Sequence, residues 1–305
     1  MANIENAGVE ETSEDTYLND MREDPNNMSK WFPAIMPKDG ESRRLRIPKT
    51  VIVQVPEEVC HSFFMERQGD RERVIQFVQN EVMPKAKEAH IYPSIFMKNG
   101  GFSDKYRFNL CTPGADELNM ALNLIGMNYD ALCLGADGTT EVCLRELIPY
   151  NAESVPCIYN GMPLRPEFRV FYDFDSHQPL YVVNYWDWDY CHDAICRNYT
   201  DKIVYVSCYP QLLEGYNRHK DEVVEMVAAD MRAVSGLKGI WSVDVMLCEP
   251  QKYSIEQDAE GFWLIDMAVG HRSAYWDSNK AAEMLAANNS TTKERKSYEQ
   301  MGSNK

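Results

Sequence analysis

The chain has 305 residues, 44% of them hydrophobic, with 17 Tyr, 11 Phe and 6 Trp, enough for one large or two closely packed domains. Its 31 Lys and Arg against 47 Asp and Glu give −16, the wrong sign for a general binder of nucleic-acid phosphates. No apolar run approaches the ~20 residues of a membrane helix, no basic-then-apolar leader opens the sequence, and nine Cys without a CxxC pair read as reduced thiols, so the expected setting is the cytoplasm, away from membranes.

In chain order, residues 1–30 hold eight acidic and two basic side chains, a net −6 that reads as a solvated, disordered tail. Trp31-Phe32-Pro33 then opens the folded part. Thr50 to Val55 reads as a strand closed by Pro56, and Glu57 to Val82 has helical composition up to Pro84. His90 to Met97 leads to Lys98. After Asn99-Gly100-Gly101 an extended pattern resumes at Lys105 to Phe108, predicting strand, glycine turn, strand. Glu117 to Leu124 places apolar residues at helical spacing, Glu141 to Ile148 is a strand ended by Pro149, and 151–166 is an irregular connection. Glu167 to Asp173 and Leu180 to Tyr185 flank a turn, and Arg218 to Val234 is the clearest amphipathic helix. Gly239 to Leu247 and Phe262 to Val269 form a second strand pair, and from Trp276 the chain becomes polar. Strands mixed with helices, with no βαβ alternation and no internal repeat, predict an α+β fold.

Three features carry chemistry. Lys98 followed by Gly100 and Gly101 offers a cation and closely approaching backbone N–H groups to phosphates, although an ordinary exposed hairpin has the same composition. Asp244 and Asp266 each sit in the middle of an apolar strand. Two carboxylates on adjacent strands suit Mg²⁺ bridging phosphates, and simple alternation onto a solvated face is the other explanation. Arg169, between apolar residues, suits either a phosphate clamp or an ion pair with Glu167. Cys191-His192-Asp193 with Cys196 has no second ligand pair, which speaks against zinc.

Taken in order, these pieces resemble the ATP-grasp fold. The resemblance is to the branch that contains the eukaryotic cell-division-cycle-type assembly chaperone of a translation initiation factor and related phage and bacterial proteins. Trp31-Phe32-Pro33 and the strand after Ile47-Pro48-Lys49 are similar to that family's opening, and Phe96-Met97-Lys98 to its phosphate-binding lysine. Arg145-Glu146-Leu147-Ile148 is similar to the hinge strand beside adenine, Glu167-Phe168-Arg169 to its Glu-Phe-Arg element, and Asp244 and Asp266 to its metal-carrying positions. The resemblance implies two α+β subdomains gripping a nucleotide: an N-terminal subdomain at 31–89, an ATP-grasp core at 90–275 hinged near 144–150, and a polar tail at 276–305. It departs at Ala268, where such sites commonly carry Asn, with His271 or Arg272 as candidate compensation.

The family implies ATP and Mg as cofactors and a peptide or protein as substrate or client. The leading expectation is an ATP-dependent carboxylate–amine ligase working through an acylphosphate, with Lys98 and Arg169 as its catalytic cations and Tyr185-Trp186-Asp187-Trp188-Asp189-Tyr190 near the acceptor or on a partner surface. The alternative is an ATP-binding assembly factor that grips a protein without joining bonds. A third reading, an RNA ligase-type nucleotidyltransferase adenylated on Lys98, expects K-x-[DN]-G, which Lys98-Asn99-Gly100-Gly101 does not supply.

Overall fold

The computed structural model describes residues 13–38, 40–64, 69–150, 154–195, 198–248 and 260–288. It begins with α1 (Ser13–Glu23) and α2 (Met28–Ile35). The expectation of a disordered tail over 1–30 therefore fails for its described part, because Leu18 and Met21 of α1 and Met28 of α2 are buried core residues. In α2 the buried set Met28, Trp31, Phe32 and Ile35 falls on one face at helical spacing, so Trp31-Phe32-Pro33 lies inside a helix.

β1 (Thr50–Gln54) is followed by α3 (Glu57–Phe64), α4 (Asp70–Phe77), a π-helical turn (Val78–Val82) and α5 (Met83–Glu88). The helical run thus passes Pro84, which is tolerated because the ring stands in the first turn of α5, where an N–H is dispensable. β2 (Ile95–Asn99) leads into a 3₁₀ turn (Lys105–Arg107) and α6 (Phe108–Cys111), so the strand expected at 105–108 is absent. α7 (Glu117–Cys133) starts where the Asp116 side chain accepts from Asn119 N–H at 3.0 Å. Then comes β3 (Glu141–Glu146).

β1, β3 and β2 form one antiparallel sheet in that order. The pairing of β1 with β3 crosses the boundary expected at 89/90, so 31–89 is not a separate subdomain. Val53, Ile95, Met97, Val142 and Leu144 pack on helices α3, α4, α5 and α7. The alternate residues Lys98 and Arg145 lie on the other face, as period-two alternation requires.

The connection expected to be irregular holds a small hairpin, β4 (Cys157–Ile158) and β5 (Met162–Pro163). β6 (Glu167–Asp173), β7 (Gln178–Asn184), α8 (Trp188–Ile195), α9 (Tyr199–Met231), β8 (Ile240–Cys248) and β9 (Gly261–Val269) complete the second unit, whose antiparallel sheet runs β7-β6-β8-β9. α9 has 33 residues, far longer than the stretch visible as amphipathic. Its first turn is capped by Asn198 accepting from Thr200 N–H at 2.9 Å. Phe168, Val170, Val243 and Val245 pack against Val223, Val227 and Met231 of α9 and against α2. Residues 278–288 form a last helix, α10, whose Ala281 is buried with Phe171 and Leu180; this part of the expected polar tail is packed structure. The fold is α+β, two sheet-and-helix units facing one another, as the ATP-grasp resemblance implied. No helix among the described residues is long and apolar enough to cross a membrane.

Candidate functional site

The polar face of the first sheet looks across a cleft at the polar face of the second. Lys98 from β2 donates to both carboxylate oxygens of Asp266 on β9, at 3.1 and 3.0 Å. Arg145 from β3 donates through Nη1 to the Ile265 carbonyl and through Nε to Thr50 Oγ1 at 3.3 Å. These contacts close one end of a cavity of about 800 Å³, part of it open to solvent. One stretch of its wall is apolar, including Phe96, Leu147, Ile148 and Met246. The charged stretch carries four cations, Lys98, Lys105, Arg145 and Arg165, against three carboxylates, Glu146, Glu167 and Asp266.

The charges are unequally satisfied. Burial opposes ionisation of Asp266, but Lys98, Lys105 and Arg145 together outweigh it and hold the carboxyl below its ordinary range. Burial pulls the Arg145 guanidinium down, with partial compensation from Asp266, and its Nη2 is buried without a hydrogen-bond partner. For Lys105, burial acts against the charge and is outweighed by Tyr185, Glu167 and Asp244; its ammonium donates to Tyr185 Oη at 2.9 Å. Burial pushes the Glu167 carboxyl up to about 7, Lys105 and Arg169 opposing and Asp244 assisting. A wall with a cation surplus and an orphaned guanidinium donor beside an apolar slot fits a nucleotide, whose phosphates accept hydrogen bonds and whose base is flat and apolar on its faces.

Of the residues singled out from sequence, Lys98, Arg145, Glu146, Leu147, Ile148 and Asp266 line this cavity. Arg169, Asp244, Gly100 and Gly101 are not among its lining residues. Arg169 is committed to Asp244, with Nε and Nη2 at 2.8 and 2.7 Å from its two oxygens, and its Nη1 donates to the Ala274 carbonyl at 3.1 Å. The pairing with Glu167 is thus replaced by the cross-strand neighbour on β8, directly opposite Arg169 in register. Gly100 packs against Glu141 and Asn27, and a Cβ there would lie 2.5 Å from Glu141 Oε1. Arg272 bonds Asp24 at 2.7 Å, and neither it nor His271 lines the cavity. In the aromatic-acidic run, Trp186 is core, Asp187 caps α8 and Tyr190 is exposed.

Sequence reading missed Lys105, Arg165 and Glu167 as cavity residues. The first was hidden by the mistaken strand at 105–108 and the second by the connection treated as irregular, while Glu167 was placed on its strand but read only as a partner for Arg169. A signal was present in alternation: Arg165, just before β6, and Glu167 are two apart and in phase with Arg169.

No family model matches the chain, and no curated protein matches it. Among solved structures, C-terminally truncated Cdc123 from Schizosaccharomyces pombe matches at 16% identity over 90% of this chain and 93% of that one, with a TM-score of 0.44. Cdc123 from the same organism matches at 14% identity, over 88% and 92%, with a TM-score of 0.43. The chain is similar to both.

The ligase expectation, and with it the leaning towards an enzyme and a protein-held metal, is corrected. Among the described residues no three His, Cys, Asp or Glu side chains converge to hold a metal ion. The two candidate carboxylates are each engaged by a cation, Asp244 by Arg169 and Asp266 by Lys98. A carboxylate that already accepts two charge-assisted hydrogen bonds has few lone pairs left for a metal.

Proposed function

We propose that this chain is an ATP-binding assembly factor that grips a protein partner without joining bonds. The observation that carries the ATP reading is the cavity itself: four cations line the charged end, one of them Arg145 with an unpartnered buried Nη2, and an apolar slot beside Glu146, Leu147 and Ile148 forms the other. On this reading the base lies against Leu147 and Ile148 and the phosphates reach Lys98, Lys105 and Arg145. The triphosphate brings magnesium as its own counter-ion and competes with Asp266 for Lys98. The partner reading draws on the sequence resemblance to the assembly-chaperone branch, and the cytoplasmic setting fits the described cysteines, all of which are free thiols.

Equilibrium dialysis with labelled magnesium-ATP tests the site. The parent is expected to bind, and Lys98→Ala or Arg145→Met to weaken binding at least ~10-fold, the cost of one charge-assisted contact. Equal binding by both variants would remove the site. Bound nucleotide is expected back as ATP, with no ADP formed when a carboxylate and an amine are added.

A further inference from the structure

A second pocket, sharing no lining residue with the nucleotide cavity, lies between β7, α9 and the turn after β9. It encloses about 600 Å³ of atom-free space, part of it open to solvent. Val182, Val183 and Leu213 give it an apolar floor, Tyr216 and Tyr275 give it aromatic walls, and Asp187 is its single charged lining residue. The exposed Tyr190 ring, 4.3 Å from Tyr275, extends the aromatic surface outward.

Two details indicate that the polar groups here have spare capacity. Asp187 Oδ1 accepts from the backbone N–H groups of Asp189 and Tyr190, capping α8; the cap uses Oδ1 alone. Asn184 accepts from Trp186 N–H through Oδ1 at 3.1 Å, which fixes its amide orientation and leaves the buried Nδ2 without an acceptor, on a side chain only 7% exposed. An anion among aromatic rings, above an apolar floor, is the environment that stabilises an alkyl cation, with charge at the carboxylate, methylenes on the floor and ring faces toward the positive end; the unsatisfied donor beside it suits an acceptor. Lys220 comes within 5.9 Å of the Tyr216 ring without lining the pocket, so that ring already tolerates a cation.

We propose that this pocket binds the basic side chain, Arg or Lys, of a polypeptide, with Asp187 pairing the cation, Tyr216 and Tyr275 flanking it and Asn184 Nδ2 donating to a carbonyl of the same peptide. The site goes beyond the nucleotide reading and stands or falls without it.

The test is titration of the full-length chain, followed by ¹⁵N–¹H spectra, with acetyl-Ala-Arg-Ala-amide, with its neutral isostere containing citrulline, and with agmatine. The arginine peptide is expected to shift signals of β7 and of the turn at Tyr275. The citrulline peptide should bind at least ~10-fold more weakly, since it lacks the charge. Asp187→Asn keeps a side chain able to cap α8 and removes only the charge; it is expected to lose the peptide at least ~10-fold while α8 stays folded by circular dichroism. Tyr275→Leu should weaken it as well. Binding of the citrulline peptide as tight as that of arginine, unchanged binding by Asp187→Asn, or no shifts at all would overturn the proposal and leave Asp187 as a helix cap only. Agmatine binding as tightly as the peptide would overturn the polypeptide assignment in favour of a free guanidine.

Discussion

Arg169 and Asp244 meet by two hydrogen bonds, with Asp244 only 2% exposed, and the pair is more than a surface ornament. Removing one partner strands the other charge in the interior. Arg169→Met is therefore expected to cost about 3–5 kcal/mol in urea unfolding, and Arg169→Met with Asp244→Leu to recover most of it, because a packed apolar pair pays no desolvation. Equal losses in the single and double variants would show that the pair's charge is not what holds this spot. Glu167 behaves differently. Its carboxyl rises from 4.5 to about 7, first through burial and then through Asp244, against Lys105 and Arg169. The native chain therefore holds this proton more tightly than the unfolded chain. Its stabilising contribution is fully present below the unfolded value and is lost as pH rises through about 7. Glu167→Gln is expected to narrow the stability difference between pH 5 and pH 8 by on the order of 2 kcal/mol, read from urea midpoints at both values. An unchanged difference would mean that Glu167 is ionised throughout.

At the scale of elements, the loop after β2 separates packing from function. Gly100 has Glu141 Oε1, Asn27 Oδ1 and Glu141 Cγ within 2.6 Å of where a Cβ would stand, whereas Gly101 has its nearest such neighbour, Asn26 Cβ, at 4.0 Å. Gly100→Ala is expected to destabilise by about 1–3 kcal/mol through overpacking, and Gly101→Ala by less than about 0.5 kcal/mol. Thermal unfolding of the two variants checks this. If Gly101→Ala instead lost nucleotide with its stability intact, the glycines would regain the phosphate-cradling role expected from sequence. The same element explains why the segment after it was misread. Lys105 to Phe108 alternates like a strand, but β2 takes its partner β3 from more than forty residues downstream and its other edge stays unpaired, while the segment coils into a 3₁₀ turn and α6, which buries Phe108 and Cys111. Alternation is a local signal, whereas the element a segment adopts depends on what its side chains can pack against in the tertiary structure.

At the scale of the whole molecule, the two units touch across the cleft through Lys98 with Asp266 and Arg145 with the Ile265 carbonyl. A nucleotide seated there contacts both units and is expected to add about 2.7 kcal/mol of stability at a 100-fold excess over its dissociation constant. Differential scanning fluorimetry should show the melting temperature rising with magnesium-ATP in the parent and rising by about half as much or less in Arg145→Met. A rise of equal size in both would place the nucleotide elsewhere.

The sequence by itself determined the pieces whose information is local. Strands β1, β3, β6, β8 and β9 and the α+β class were legible from alternation and element order, Lys98 from its glycine turn and Asp266 from its place at an apolar strand's centre, whereas Arg145, Glu146, Leu147 and Ile148 were named through the family resemblance. Tertiary structure decided the rest. It folded α1 within the acidic N-terminal stretch by giving Leu18 and Met21 a core to enter, and it packed 278–288 onto Phe171. It also brought Lys105, Arg165 and Glu167 into the cavity and turned Arg169 and Asp244 towards each other. Where a charged side chain finds its counter-charge depends on which strand lies opposite, and register across a sheet is set by contacts between residues far apart in the chain.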